Sequence, residues 1–239
     1  MGENILENDP MEILLRSTKI ISPTLIQYDI GSLFEGILFN CLKKAKSQFD
    51  KIILVSFYDS YHILYHYWGS IFSIDEANKL MKGVEIITVY GKYPIEPKAG
   101  VRILDVEMTR LAPTIIDIIN KNKGESFLMV ITGLDLYAID RGEETFRKTY
   151  PLLMILSKQF KEVNIIVALN KNLISPKTLE FVGNYSFNIA DLKVNASNEK
   201  ISYYMLFKRI AMLEYNLKSW EYIVTERSID FKERYNTKK

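Results

Sequence analysis

Short apolar runs, separated by segments with helical periodicity, constrain the fold of this chain more than any other feature of its sequence. A run that is apolar throughout predicts a strand buried on both faces. Strands that alternate with helices usually form a parallel sheet covered by helices on both sides. We therefore predict an α/β fold with strands at residues 24–29, 52–57, 84–89, 127–131 and 164–169, and a short strand at 101–104.

The C-terminal part of the chain follows a different pattern. Residues 185–191, 201–208 and 222–226 are consecutive strand-like runs with turns between them, which predict an antiparallel meander at one edge of the sheet. We expect Pro113 and Pro151 to bend or interrupt the helices that contain them. Helices are predicted at residues 10–16, 33–48, 59–68, 108–121, 143–161 and 176–182, with one more between the capping box 73–76 and Gly83.

Composition limits the class of protein. With 239 residues, the chain can bury one core without a disulfide or metal, and its single cysteine, Cys41, cannot form an internal disulfide. The net charge of +2 is too small to indicate nucleic acid by itself. We assign residues 1–22 to an N-terminal extension, 23–231 to the domain and 232–239 to a charged tail.

The same composition indicates where the protein works. Neither a basic leader nor an apolar run of roughly 18–20 residues is present, so we expect a cytoplasmic protein without a membrane partner. Lys, Ile, Tyr and Asn are abundant, as in thermophilic archaeal proteins, although genome composition can produce the same bias.

The turn after the first predicted strand, residues 29–32, is where we first expect a ligand, because ligands of open α/β sheets bind at the carboxyl ends of strands. Gly31 permits a tight turn, and Ser32 can cap a helix whose free N–H groups attract anions. Asp29 resembles the acidic strand end of a methyltransferase, although the second glycine of that motif is missing. An ordinary capped strand-to-helix turn is the competing interpretation.

This turn lacks the residues of a phosphate-binding loop. That loop ends in Gly-Lys-Ser or Gly-Lys-Thr, and neither tripeptide occurs anywhere in the chain. The next glycine, Gly36, already lies in the predicted helix, and the first lysine after the turn is Lys43. We therefore predict no ATP hydrolysis by the P-loop mechanism.

Across residues 20–231, the order and spacing of elements resemble those of the RecA/KaiC-like ATPases, especially archaeal proteins that keep this fold without the Walker A loop. Residues 24–29 and the following helix stand at the place of the P-loop strand and helix. Residues 54–60 resemble a family strand ending Val-Ser-Leu-Glu-Glu-Ser, 127–131 the Walker B strand, and 201–229 the terminal hairpin. The resemblance implies a three-layer, P-loop NTPase-like fold, with a mainly parallel sheet flanked by helices and a C-terminal antiparallel hairpin.

The resemblance also implies that catalytic residues have been lost. Asp59 matches the second acid of the family's pair, while Tyr58 replaces the first. Thr132 stands at the Walker B aspartate, and Asp135, three residues on, would lie past the strand end. Lys208 matches a lysine that reaches the neighbouring subunit's nucleotide. The family comparison therefore implies a pseudo-ATPase that retains binding or assembly.

The helix at residues 59–68 carries two further patterns. His62 and His66 are spaced i, i+4 with Asp59 on the same face, so they are weak candidates for Zn²⁺ or Ni²⁺. Because a third histidine is missing, we expect no structural metal. Tyr61, Tyr65 and Trp68 form a stripe that fits either core packing or a subunit interface.

Two hypotheses about function follow. The first is a non-catalytic module for binding, assembly or regulation that forms a homo-oligomer, without a cofactor, through the aromatic helix or an unpaired edge of the terminal hairpin. The second is an enzyme or sensor that binds a nucleotide or S-adenosylmethionine at the end of the first strand. A protein partner fits the first hypothesis, whereas a nucleic-acid partner is suggested by the fold alone.

Overall fold

The computed structural model describes residues 9–92, 101–197 and 200–234, which contain ten strands in one sheet. Their order is β10-β9-β8-β7-β1-β6-β5-β2-β3-β4. Strands β1 to β7 run parallel to one another, and β8, β9 and β10 add an antiparallel meander beside β7. The strands are β1 (Thr24–Tyr28), β2 (Lys51–Phe57), β3 (Val84–Val89), β4 (Arg102–Val106), β5 (Phe127–Thr132), β6 (Val163–Asn170), β7 (Asn188–Ala196), β8 (Ile201–Arg209), β9 (Ser219–Val224) and β10 (Ile229–Arg234).

Helices cover both faces of the sheet, which confirms the predicted three-layer α/β fold. Alternate strand residues face opposite layers: Ile26 of β1 joins one hydrophobic core, and Leu25 joins the other. The first core includes residues of α1 (Pro10–Ile20), α2 (Phe34–Ala45), α3 (Ser60–Ile71) and α4 (Ile74–Met81). The second includes residues of α5 (Met108–Lys121), α6 (Leu134–Arg141), α7 (Glu143–Met154), α8 (Leu156–Gln159) and α9 (Pro176–Tyr185).

Strand β1 lies inside the parallel part of the sheet, between β6 and β7. In this register, Tyr28 at the end of β1 is paired with Asn170 of β6 and Leu192 of β7. The carboxyl ends of the three strands therefore meet at one edge of the sheet. Helix α1 contributes Met11 and Leu14 to the first core, so the described part of the predicted N-terminal extension, from residue 9, packs with the domain.

Three elements differ from the predictions. Helix α6 was not predicted, because the segment after β5 is only eight residues long and is too short to show a clear helical period. The predicted helix 143–161 is interrupted at Ile155 and not at Pro151, because the Ile155 amide still bonds the Pro151 carbonyl and completes a turn beyond the proline. Strand β10 alternates half-buried and exposed residues, and the predicted tail boundary at residue 231 falls inside it.

The aromatic stripe of α3 belongs to the core. Tyr61, Tyr65 and Trp68 are 4%, 8% and 0% exposed, so the expectation that this stripe forms a surface for self-association is wrong. The reason is geometric, since these side chains pack towards α2 and α4, and the Trp68 indole donates to the Glu35 carbonyl. The predicted hairpin 201–226 does not form the edge itself, because β10 pairs along β9 and is the terminal strand of the sheet.

Gly133, in the turn between β5 and α6, allows that turn to lie against the end of β2. Its φ is +77°, and a Cβ atom there would lie 2.5 Å from the Phe57 carbonyl oxygen. We expect Gly133→Ala to lower the free energy of unfolding by about 2–4 kcal/mol, since left-handed backbone and steric overlap both contribute. Urea denaturation measures this loss.

Gly124→Ala is the matched control. Gly124 has φ +91° but open space around it, so only the conformational cost of about 1–2 kcal/mol applies. Equal losses in the two variants would show that the contact with β2 does not constrain the turn.

Candidate functional site

Two adjoining cavities of about 160 Å³ and 150 Å³ lie at the carboxyl ends of β1, β5 and β6. We call them together the carboxyl-edge cleft. Both are lined by Tyr28, Phe34, Glu35 and Asn170. The larger cavity also contacts Ser60, Thr132 and Asp135, and the smaller contacts Asp29, Gly31 and Ser32. The cleft therefore brings together four of the residues predicted as ligand-binding candidates.

The β1–α2 turn, at the smaller cavity, does not form a capped helix start. Gly31 has φ +80°, and Leu33, which precedes α2, has φ 55°. The Ser32 hydroxyl is buried without a hydrogen-bond partner, while its carbonyl accepts from the Tyr222 hydroxyl. The predicted Ser32 cap is thus wrong, because the left-handed residue Leu33 occupies the capping position.

Tyr28 closes the space between the strand end and the helix start. Its ring stacks on Phe34, with 4.1 Å between centroids and 6° between planes. Burial raises the pKa of Tyr28, and the nearby carboxylates of Asp135 and Glu35 raise it further. The phenol therefore stays neutral and presents an apolar ring to the cleft.

Asp135 lies in the first turn of α6 and is 3% exposed. One carboxylate oxygen accepts from the Asn170 amide at 2.9 Å, and the other from the Leu136 amide at 3.0 Å. Burial raises the pKa of Asp135, and these N–H groups act in the opposite direction. Each oxygen of Asp135 thus already accepts a backbone hydrogen bond, and the bond from Asn170 links α6 to β6.

Hydroxyl groups occupy the ends of β2 and β5. The Ser60 hydroxyl lies 2.8 Å from that of Ser56 and 3.0 Å from that of Thr132. Ser56 also accepts from the Tyr61 amide at the start of α3. Thr132 therefore takes part in a neutral network at the position where the family resemblance expects a metal-binding aspartate.

Asp59 and the two histidines lie outside the cleft. Asp59 accepts a hydrogen bond from the Lys92 amide at 3.0 Å, towards the connection that follows β3. The Nε2 atoms of His62 and His66 are 3.0 Å apart. Within the ranges that the structure describes, no group of three or more His, Cys, Asp or Glu side chains is arranged for a metal ion. That these residues hold no structural metal stays a prediction.

A buried ion-pair network connects the end of β1 to the antiparallel strands. Asp191 of β7 is 1% exposed and accepts from Lys171 at 2.6 Å and from Lys208 at 2.9 Å. Lys171 also lies 3.3 Å from Asp29, and Lys193 is 3.7 Å from Asp191. Lys208 thus belongs to the same network as Asp29, although it does not line the cleft.

The charge of Asp191 is maintained by its partners. Burial acts to raise the pKa of Asp191, but hydrogen bonds from Lys171 and Lys208 outweigh it and hold the pKa below its ordinary value.

Four residues of this region were not predicted as site residues: Asp191, Lys171, Glu35 and Asn170. Asp191 interrupts the apolar alternation of β7, and this was the signal that could have identified it.

Comparisons with known proteins show the fold. No protein-family model and no curated protein matches the sequence. Solved structures do match, and three come from Pyrococcus horikoshii. An uncharacterised protein in complex with an unknown peptide has a TM-score of 0.67 at 14% identity, over 94% of this chain and 99% of that one. A KaiC-like protein has a TM-score of 0.63 at 14% identity, over 87% of this chain and 88% of that one. A third protein, from a structural study, has a TM-score of 0.59 at 17% identity, over 85% of this chain and 91% of that one.

These similarities confirm a KaiC-like archaeal fold, as the order of elements implied. At such low sequence identities, these similarities show the fold alone. They show neither an activity nor whether the Walker A loop has been lost. In the described part of the chain, no helix has the length and apolarity needed to cross a membrane.

Removing the Asp191 carboxylate is expected to destabilise the fold. Asp191→Ala removes the nearer of two carboxylates beside Lys171, which keeps Asp29 at 3.3 Å, so we expect a loss of about 1.5–3 kcal/mol in the free energy of unfolding. Because the pKa of Asp191 is lowered by folding, its contribution is complete above about pH 4 and is lost as the pH falls through the lowered pKa. Denaturant unfolding between pH 7 and pH 3 measures both effects.

Glu144→Ala is the control, because Glu144 and Lys148 form an i, i+4 pair with side chains 77% and 76% exposed. Such a surface pair contributes less than about 1 kcal/mol. An Asp191→Ala loss no larger than that of the control would contradict a structural role for the network.

Proposed function

We propose that this protein is a non-catalytic module of RecA/KaiC-like fold that acts by binding or assembly. The charge of the carboxyl-edge cleft carries the proposal. Asp29, Glu35 and Asp135 line the cleft, and no described lysine or arginine does. Lys171 offsets the charge of Asp29 at 3.3 Å but does not itself line the cleft. Phosphoryl transfer requires Mg²⁺ and cations around the phosphates, and the described lining residues supply no such cation.

The division of the cleft bears on the same proposal. Its two cavities, about 160 Å³ and 150 Å³, are each smaller than the roughly 300–1,000 Å³ of a typical small-molecule site, so a nucleotide would have to occupy both. The stacked rings of Tyr28 and Phe34 line both cavities, where β1 ends and α2 begins. A nucleotide in the cleft would therefore have to lie across these rings.

The alternative ligand, S-adenosylmethionine, has one observation in its favour. Its sulfonium and amino groups are cations, so the carboxylate of Glu35 would attract them, whereas it would repel a triphosphate. Like a nucleotide, S-adenosylmethionine would have to occupy both cavities of the cleft. The two classes of ligand are therefore separated by a binding measurement.

An apolar surface at the opposite edge of the sheet is the best candidate for assembly. Five large apolar side chains are exposed there: Ile20 (65%), Ile21 (37%), Phe187 (43%), Leu213 (74%) and Leu217 (64%). We call this set the amino-edge surface, because it lies beside the starts of β1 and β7 and in the turn between β8 and β9. Contiguous exposed apolar residues commonly mark interaction sites.

Hydrogen bonds of Asn188 hold these segments together. Its side-chain amide donates to the Ile21 carbonyl at 2.7 Å, and its side-chain oxygen accepts from the Ala211 amide at 2.8 Å. The end of α1, the start of β7 and the β8–β9 turn are thereby joined. The peptide bound to one of the similar structures supports a protein partner for this fold, and RecA/KaiC-like modules commonly assemble side by side.

We expect the purified protein to release no phosphate from Mg·ATP above the buffer background. The physical reason is that the cleft supplies neither a cation nor an available Walker B carboxylate. A steady-state phosphate-release assay measures the rate, with Asp59→Ala as the matched variant. Turnover that disappears in Asp59→Ala would contradict the proposal, and a melting temperature raised by S-adenosylmethionine but not by ATP would favour the alternative.

We also expect a mass above the 27.8 kDa of one chain at micromolar concentration. Leu213→Asp combined with Leu217→Asp is expected to produce a monomer, because charges replace exposed apolar side chains in the turn. Ile139→Asp, at a 57% exposed isoleucine of α6, is the control and is expected to leave the assembly intact. Multi-angle light scattering gives the mass. A concentration-independent mass of one chain for the unchanged protein would exclude self-association.

A further inference from the structure

A cavity of about 280 Å³ lies at the other end of α2, away from the carboxyl-edge cleft. It is bounded by α2, by Phe72 after α3, by Asp9 before α1 and by the β9–β10 turn. Lys43 in this cavity is nine residues after Phe34, or about 14 Å along the helix axis. The cavity is therefore separate from the site where family resemblance places a nucleotide.

The acidic residue of this cavity is already neutralised. One oxygen of Asp9 accepts from the Met11 and Glu12 amides at 2.8 Å and 3.3 Å and caps α1. The other oxygen forms an ion pair with Lys44 at 3.1 Å. Asp9 and Lys44 thus cancel one another and leave the remaining charges to decide what the cavity attracts.

Two cations on opposite walls remain available. The Lys43 side chain is 58% exposed, and its nearest carboxylate, that of Glu76, is 3.9 Å away. Arg227 in the β9–β10 turn is exposed and forms no ion pair with an acidic side chain in the described part of the chain. Asn40, one helical turn before Lys43, adds a neutral donor and acceptor to the same wall.

The floor between these cations is aromatic. Phe39 and Phe72 stack with 4.2 Å between centroids and 22° between planes, and Ile229 borders them. The rings are nearly buried, at 5% and 7% exposure, so they form a fixed surface of small area. Because the two rings already stack on one another, the contact they offer to a flat ligand group is edge-to-face, an arrangement that is also favourable between rings.

We propose that this cavity binds a small phosphate monoester that carries a flat ring, such as a nucleoside monophosphate. A monoester has a charge of about −1.5 to −2 at neutral pH, which matches the two available cations. The planar guanidinium of Arg227 suits phosphate oxygens, and the ring packs on the Phe39–Phe72 floor. The volume of about 280 Å³, close to the lower limit of roughly 300 Å³ for a small-molecule site, suits one mononucleotide and not a polymer.

The test is a calorimetric titration of the full chain with adenosine 5′-monophosphate, adenosine and inorganic phosphate. Adenosine monophosphate is expected to bind at least about tenfold more tightly than either fragment, because only the whole molecule contacts both the cations and the rings. Lys43→Ala and Arg227→Ala are each expected to weaken its binding about tenfold or more, as the loss of a charge-assisted hydrogen bond implies. Both side chains are exposed, and melting curves confirm that the variants are folded.

Two controls locate the ligand. Arg110→Ala removes an exposed arginine from α5 on the opposite face, and Glu35→Gln removes a carboxylate from the carboxyl-edge cleft. Neither is expected to change the affinity. The proposal is overturned if adenosine monophosphate shows no saturable binding at millimolar concentration, if adenosine binds equally well, or if Lys43→Ala and Arg227→Ala bind as the unchanged protein does.

Discussion

The ion pair between Lys171 and the buried Asp191 is the interaction on which the arrangement of the carboxyl edge depends. It joins the end of β6 to β7, and Lys171 extends the contact to Asp29 at the end of β1. Lys208 adds β8, so one ion-pair network joins four strands where the parallel sheet meets the antiparallel meander. Lys171 takes part in this network and does not line the cleft. The same contacts that stabilise the sheet therefore leave the cleft without a lysine or arginine among its described lining residues.

The two ends of α2 consequently differ in charge. At its start, Glu35 faces a cleft that contains further carboxylates, whereas its last turns carry Lys43 and Lys44 beside Arg227. This distribution is the reverse of what P-loop chemistry requires, since phosphates are normally bound at the start of the helix. The proposals for the two ends are independent. The first rests on what the cleft lacks among its described lining residues, and the second on cations that the other cavity contains.

Much of the fold was predictable because burial leaves a direct trace in sequence. Residues 127–131 were predicted as a strand and lie in β5, which ends one residue later, since a strand buried on both faces is a nearly continuous apolar run. Strand β10, at the sheet edge, has no such trace because half of its residues face solvent. The site was less predictable. Asp29, Gly31, Ser32 and Asp135 were placed near it by their positions after strands, but Asp191 pairs with Lys171 only because β7 and β6 flank β1, and this order is not written in local periodicity.

Amide chemical-shift mapping of ¹⁵N-labelled protein during a titration with Mg·ATP tests most directly whether the carboxyl-edge cleft has lost nucleotide binding. The amides of residues 29–36 and 132–136 surround the cleft and report on any phosphate that reaches the start of α2 or α6. We predict that these amides show no saturable shift at millimolar Mg·ATP, even if amides near Lys43 and Arg227 respond. Saturable shifts of Gly31, Phe34 and Gly133 would contradict the conclusion that this cleft no longer accepts a nucleotide.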